Sequence, residues 1–128
     1  MNITSELLAT ATNTLATACH AANRNWWIDL RTGGTLQNNP LCFSNKLMMV
    51  VTELAEACEG DRKNLPDDKL PHRSMREVEL ADALIRIFDL AGAYGMDIGG
   101  ALAEKMEYNV SRADHKLLNR AAAGGKAY

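Results

Sequence analysis

The sequence predicts an all-α fold, a bundle of four helices, and three observations lead there. Aromatic residues make up only 5% of the 128 residues while apolar residues make up 47%, so the core must come mainly from Leu, Ile, Val, Met and Ala, a mixture that favours helices. Four segments carry apolar residues at helical spacing between recognisable start and stop signals. No segment shows the alternation of a strand, an internal repeat or a low-complexity tract. The length suits one domain with a single core, so one domain over 1–128 is expected, with 121–128 as a loose tail.

Thr4 or Ser5, both good N-cap types, opens a first helix to about Ala22, with Leu8, Ala11, Leu15, Ala18 and Ala22 at helical spacing. "NRNWWIDLRTGGTLQNNP" follows, broken by Gly33-Gly34 and Asn39-Pro40. A connection this long that holds both tryptophans is more often functional than idle. The second helix starts at about Pro40 or Ser44 and reaches about Lys63, ending near Gly60 or in "NLPDDKLPH", with Leu47, Val51, Leu54 and Cys58 as its apolar side. The third opens on a capping box, Ser74 followed three residues later by Glu77, and stops at "AYGMD", where Gly95 suits a left-handed exit. Asp97 then caps a fourth helix through "GGALAEKMEYNVSRADHKLLN", ahead of the tail "AAAGGKAY".

Charge and cysteine usage narrow the partners. A net charge of -2 and a pI near 5.9 supply no positive field for holding a nucleic-acid backbone, so polymeric nucleic acid is excluded as a partner. Cys19, Cys42 and Cys58 are odd in number and widely spaced, without the paired pattern of a zinc site, and read as reduced, buried thiols. The N-terminus lacks the features of a signal peptide and no window approaches a membrane span, so a cytoplasmic protein is expected.

The acids are the unusual feature. "MVVTELAEACEGDRK" begins like a buried helix yet carries Glu53, Glu56 and Glu59, and "VELADALIRIFDL" repeats the pattern with Glu79 and Asp82. On a helical wheel Glu79, Asp82, Arg86 and Asp89 fall within roughly 80° of arc, amid neighbours that are nearly all apolar. A solvated face is normally broader, so the third helix is expected to be packed around most of its circumference with its acids opening onto a narrow cleft. In the second helix Lys46, Thr52, Glu56, Glu59 and Lys63 make a wider polar side, and there Glu53 and Glu56 alone read as surface residues. Two antiparallel helices that each offer carboxylates at i and i+3 can direct four anionic groups into one cleft. Like charges that close raise each other's pKa unless a cation neutralises them, and hard oxygen donors select a hard ion such as Mg²⁺, which keeps positions open for water and phosphates.

The spacing Glu53-x-x-Glu56, a gap of 22 residues, then Glu79-x-x-Asp82 resembles the acidic signature of the MazG-like, all-α nucleoside triphosphate pyrophosphohydrolases. "LADALIRIFDLAG", "GGALAEKMEYNVSRADHK" and "GGKAY" resemble the small phage and bacterial members, so the likeness extends over roughly 42–128, and "WWIDLRTGG" is similar too. The resemblance implies the four-helix bundle of that family and hydrolysis of a nucleoside triphosphate, in the first place a deoxynucleotide, to the monophosphate and pyrophosphate. It implies Mg²⁺ as cofactor, with Mn²⁺ as a substitute, and a homodimer or homotetramer. Glu53, Glu56, Glu79 and Asp82 would be the metal ligands, with Glu53 or Glu56 also orienting or deprotonating the attacking water.

Lys105, Asn109 and Arg112 stand at i, i+4 and i+7 of the fourth helix, match the family's K-x-x-x-N-x-x-R element, and are assigned to phosphate or sugar contacts. The competing reading is a solvated basic face paired with Glu104, Glu107 and Asp114. Trp26 or Trp27 is a candidate for stacking on the base, against the alternative that both close the end of the bundle. Asn23 and Asn38 are weaker candidates for reading the base edge, and Lys126 either folds over the phosphates or belongs to a disordered end. His20, His72 and His115 lie far apart, and none follows a Glu by three residues, which disfavours a carboxylate-bridged di-iron bundle. Two other readings stay open: a non-catalytic helical interaction protein, and the same fold acting on another pyrophosphate ester. The excess apolar surface of the third helix also argues for oligomerisation.

Overall fold

The structure, a computed structural model, describes residues 4–126. It is all-helical, with five α-helices of which four are substantial, and no strand among the described residues. Thr14–Met96 forms one compact unit, and Met1–Asn13 together with Asp97–Tyr128 another, the division falling within the first helix. That helix, α1 (Ser5–Asn23), is capped by Thr4, whose hydroxyl accepts the Leu7 N–H at 3.2 Å.

In the Thr14–Met96 unit, α1 gives way to a 3₁₀ turn over Arg24–Trp27 and a second over Leu36–Asn38 before α2 (Cys42–Lys63) begins. A left-handed Asn64 at φ 51° ends α2, its N–H bonded to the carbonyls of Gly60 and Asp61. Gly60 is therefore inside the helix, and Asn, which tolerates this conformation, provides the stop. α3 (Met75–Ala93) starts as expected at Ser74, whose hydroxyl accepts the Glu77 N–H at 3.3 Å. Only half of the capping box forms, because the Glu77 carboxylate pairs with Arg73. The exit passes through Gly95 at φ 61°, a conformation that costs a residue with a Cβ and glycine little.

α2 and α3 run antiparallel, as the pairs Asp61–Arg76 and Glu53–Arg86 show. Their contact corrects the expected apolar face. α2 buries Cys42, Val50, Glu53, Ala57 and Gly60, whereas Leu47, Val51 and Cys58 are exposed and Leu54 remains 47% exposed. α3 buries Glu79, Ala83, Asp89, Leu90 and Ala91, and Leu84 stays 52% exposed. The small residues explain the choice: Ala and Gly let two backbones approach closely, which leucines on the same faces would prevent. For the same reason α3 is not enclosed around most of its circumference, since in this unit only α2 and the end of α1 are available to cover it. The α1 contact is close as well: a Cβ on Gly92 would meet the Ala16 carbonyl oxygen at 2.6 Å and His20 Cβ at 2.7 Å.

The core cluster of this unit joins Trp27, Cys42 and Leu90, with Leu36, Phe43, Ala93 and Tyr94 packed against it. Edge-to-face rings link Trp27 to Tyr94 at 6.0 Å and Tyr94 to Phe43 at 5.3 Å. The expected aliphatic core is thus reduced to Ala, Val and Leu built around an aromatic. No Ile or Met is buried among the described residues.

In the other unit, Asp97 caps α4 (Ile98–Ser111) by accepting the Gly100 N–H at 2.9 Å. Asn13 ties the helix start to α1, accepting the Gly99 N–H at 2.8 Å and donating to Asp97 at 2.7 Å. α4 ends at Ser111, well short of the expected Asn119. Arg112 is extended (φ −65°, ψ 131°), and a 3₁₀ turn over Ala113–His115 leads to the short α5 (Leu117–Ala121). The break is held by Arg112, which forks onto Asp114 at 2.9 and 2.5 Å, and by Asn119, which donates to the Ala113 carbonyl at 2.6 Å. Of the tail expected over 121–128, residues 127 and 128 lie outside the described residues. No described helix is long and apolar enough to cross a membrane.

Candidate functional site

The antiparallel α2–α3 pair carries its acids where the two helices meet. Carboxylate oxygens of Glu53, Glu56 and Glu79 all lie within 4.8 Å of one another. Glu53 and Glu79 are each only 7% exposed, while Glu56 opens to solvent. The i, i+3 spacing on α2 and the facing turn of α3 account for the convergence. Asp82, expected as the fourth member, stands outside this group of three, but its charge still reaches Glu79.

Burial foremost pushes the Glu79 carboxyl up to about 7. A hydrogen bond with Glu53 and the charges of Glu56, Glu53 and Asp82 push the same way. Glu53 has a different neighbour on its other side: Arg86 Nε lies 2.5 Å from its Oε1. Among the expected acids, then, one carboxylate is held by a guanidinium and the one beside it favours its neutral form. Hard carboxylate oxygens gathered this closely, in part buried and with one resisting ionisation, make a donor set that fits a hard divalent cation such as Mg²⁺.

A cavity of about 660 Å³ adjoins the acids through Asp82 and Arg86 and continues past Lys46, Asn23 and Asp89 to Trp26. The two tryptophans divide sharply. Trp26 is 73% exposed on the cavity wall, while Trp27 is 5% exposed in the core, with its indole N–H donating to Asp89 Oδ1 at 2.8 Å. The expectation that Trp27 stacks on a ligand is therefore corrected: the ring is buried, with the Tyr94 and His20 rings packed nearly perpendicular to it and Lys46 Nζ 4.4 Å from its centroid. Lys46 also donates to the Trp26 carbonyl at 3.2 Å, which fixes the tryptophan turn. Asn23 lines the cavity and donates to the Cys19 carbonyl, whereas Asn38 lies in the 3₁₀ turn and is not on the cavity wall.

Sequence reasoning missed the part played by His20 and Asp89. Asp89 Oδ1 also lies 2.9 Å from His20 Nδ1, so a carboxylate read as the end of an acid stripe is the buried anchor of the tryptophan turn. The clue was that Asp89 sits one turn past Arg86 on the face that α3 turns inward. Cys19, Cys42 and Cys58 are all free, as expected, although Cys58 is exposed.

Lys105, Asn109 and Arg112 belong to the other unit, and the structure does not set them along one helical face. Lys105 stacks its Nζ 4.7 Å over the Tyr108 ring. Asn109 Oδ1 is enclosed with no hydrogen-bond partner. Arg112 lies past the end of α4, paired with Asp114 as the competing reading anticipated. Hydrogen bonds from Arg112 and then Lys126 hold the Asp114 carboxyl well below the usual carboxylate range. Lys126 thus folds onto Asp114, at 2.9 Å.

No protein-family model matches the chain, and no similar chain was found among curated proteins or solved structures.

Proposed function

We propose that this protein is a nucleoside triphosphate pyrophosphohydrolase of the MazG-like, all-α four-helix type, cleaving a deoxynucleoside triphosphate to the monophosphate and pyrophosphate. The observation that carries the reading is the convergence of Glu53, Glu56 and Glu79 within 4.8 Å, next to a cavity large enough for a nucleotide whose wall includes Asp82 and the Glu53 partner Arg86. Glu53, Glu56, Glu79 and Asp82 would hold Mg²⁺, or Mn²⁺ in its place. When bound, the ion would neutralise phosphate charge and make water more acidic.

The chain's own residues divide the remaining work. Arg86, a residue of the cavity wall, fixes the Glu53 carboxylate through its Nε, so Glu53 is held in one orientation. Glu53 or Glu56 takes the proton of the attacking water. Trp26 offers an open indole face to the base. Lys105, Asn109 and Arg112 enter as phosphate contacts through the sequence resemblance alone.

The homodimer or homotetramer is supported by the exposed Leu47, Val51 and Leu54 on α2 and Leu80 and Leu84 on α3, more apolar surface than a monomer usually leaves wet. A cytoplasmic location belongs to the same reading. Pyrophosphate release from a panel of nucleoside triphosphates, with and without Mg²⁺, tests it. Metal-dependent release with the monophosphate as co-product is expected. Silence across the panel from folded protein would instead favour a non-catalytic interaction protein.

A further inference from the structure

Asp89 is 7% exposed, lies on the wall of the 660 Å³ cavity, and directs both of its hydrogen-bond contacts, from Trp27 Nε1 and His20 Nδ1, to the same oxygen, Oδ1. Among the described residues the only fully enclosed side-chain polar atom without a partner is Asn109 Oδ1. Oδ2 of Asp89, which accepts nothing from the protein, is therefore open. A carboxylate oxygen held in place from behind and open in front is a pre-oriented acceptor, and a buried one left unmatched on ligand binding is costly.

Its place along α3 says which part of a nucleotide it would meet. Asp82 and Asp89 are seven residues apart in the sequence, which is roughly 10 Å along the helix axis. If the phosphates lie at the acids, that offset passes the sugar and reaches the base, on the side of the cavity where Trp26 stands.

We propose that Asp89 is a specificity-determining residue that selects bases presenting an amino group over bases presenting only carbonyls beside a ring N–H. The inference rests on the nucleotide reading above and deepens it. An exocyclic amino group donates to Oδ2. A carbonyl oxygen at the same position faces a carboxylate with no proton between them, and the two acceptors repel. His20 and Trp27 are positioning residues: they hold Oδ1 so that Oδ2 cannot turn away.

The test is equilibrium binding, followed by tryptophan fluorescence in Mg²⁺-containing buffer, of deoxycytidine and deoxyuridine monophosphates, which set an amino group beside a bare ring nitrogen against a carbonyl beside a ring N–H. The wild-type protein should bind the amino compound about tenfold more tightly or better, as expected for one hydrogen bond to a charged group. Asp89→Asn keeps an oxygen for the Trp27 N–H and offers an amide N–H to the cavity, so the preference should collapse or invert. Equal wild-type affinities would overturn the inference while leaving the nucleotide reading standing. So would an Asp89→Asn variant that weakens both ligands by the same factor, because a purely structural role does exactly that much and no more. Binding of neither compound would overturn the inference, and the pyrophosphate-release panel would then decide the nucleotide reading by itself. Should Asp89→Asn fail to fold, the wild-type ratio decides alone.

Discussion

Arg86 on α3 reaches across to Glu53 on α2, its Nε 2.5 Å from the carboxylate Oε1, and this pair is the one direct charged link between the two helices at the level of the acids. It places a cation beside one of the two buried members of a crowded anionic cluster, and Arg86 is also a residue of the cavity wall. Replacing Arg86 with Met removes both the clamp and the cavity cation. Turnover should fall by on the order of a hundredfold, with a smaller loss for Arg86→Lys, which keeps the charge but lacks the planar fork. Pyrophosphate release by the two variants, compared at equal folded fraction from circular dichroism, checks this.

Glu56→Gln and Asp82→Asn should each abolish turnover, by about a hundredfold or more, yet leave the fold intact or slightly more stable. Removing one of several crowded carboxylates relieves repulsion in the metal-free protein. An active Asp82→Asn enzyme would take that residue out of the site.

The carboxyl of Glu79 carries a pH signature. Its ordinary value is 4.5 and the fold raises it to about 7, so between those values the folded state holds a proton that the unfolded chain has released. Stability of the metal-free protein therefore falls as pH rises across that window, and the contribution is gone above about 7. Glu79→Gln should flatten the dependence and raise Tm by a few °C at pH 8, on the order expected for a ~1 kcal/mol change. Thermal melts in chelator at pH 5 and pH 8 decide the sign. Added Mg²⁺ should selectively restore wild-type stability at pH 8, since a cation favours the ionised form.

The adjacent tryptophans should behave oppositely. Trp27→Phe keeps most of the buried ring but deletes the N–H that Asp89 accepts, and should cost about 1–3 kcal/mol in urea unfolding. Trp26→Ala should change stability little and weaken nucleotide binding by roughly tenfold, as lost base stacking would. Equal effects of both substitutions on stability would contradict the division between core and cavity wall.

Leu54→Glu places a charge on the open apolar side of α2. If that side joins two copies of the chain, sedimentation at micromolar concentration should show the variant shifted to monomer while the wild type stays associated. A monomeric wild type would remove the oligomer from the proposal.

Much of the fold was legible in the sequence because helix ends advertise themselves. Ser74, Asp97 and Gly95 do locally what their residue types allow, and Thr4 caps α1 at one of the two expected positions. The acidic constellation was legible for a related reason, since spacing of i and i+3 is fixed by helix geometry whatever surrounds it. Two things were not legible. The inward face of α2 was misread because hydrophobicity ranks Leu above Ala, whereas the close α2–α3 approach is decided by side-chain size. The early end of α4 was missed because nothing helix-breaking stands at Ser111. It is the Arg112–Asp114 fork, a contact between side chains two residues apart, that favours the extended turn. The roles of Trp26 and Trp27 depended on tertiary partners, Asp89 above all, that no local pattern reveals.

Ala57 stands one helical turn beyond Glu53, and Ala83 one turn beyond Glu79, and both are buried. Neither has a functional group, yet each is enclosed on an acid-bearing helix, where a larger side chain would have to displace its neighbours. On the proposed function, a saturation scan scored on catalysis should find these two inert positions nearly as intolerant as the glutamates. Should the acids hold the proposed cation, refitting them to a larger one would begin with these spacers and leave the carboxylates untouched.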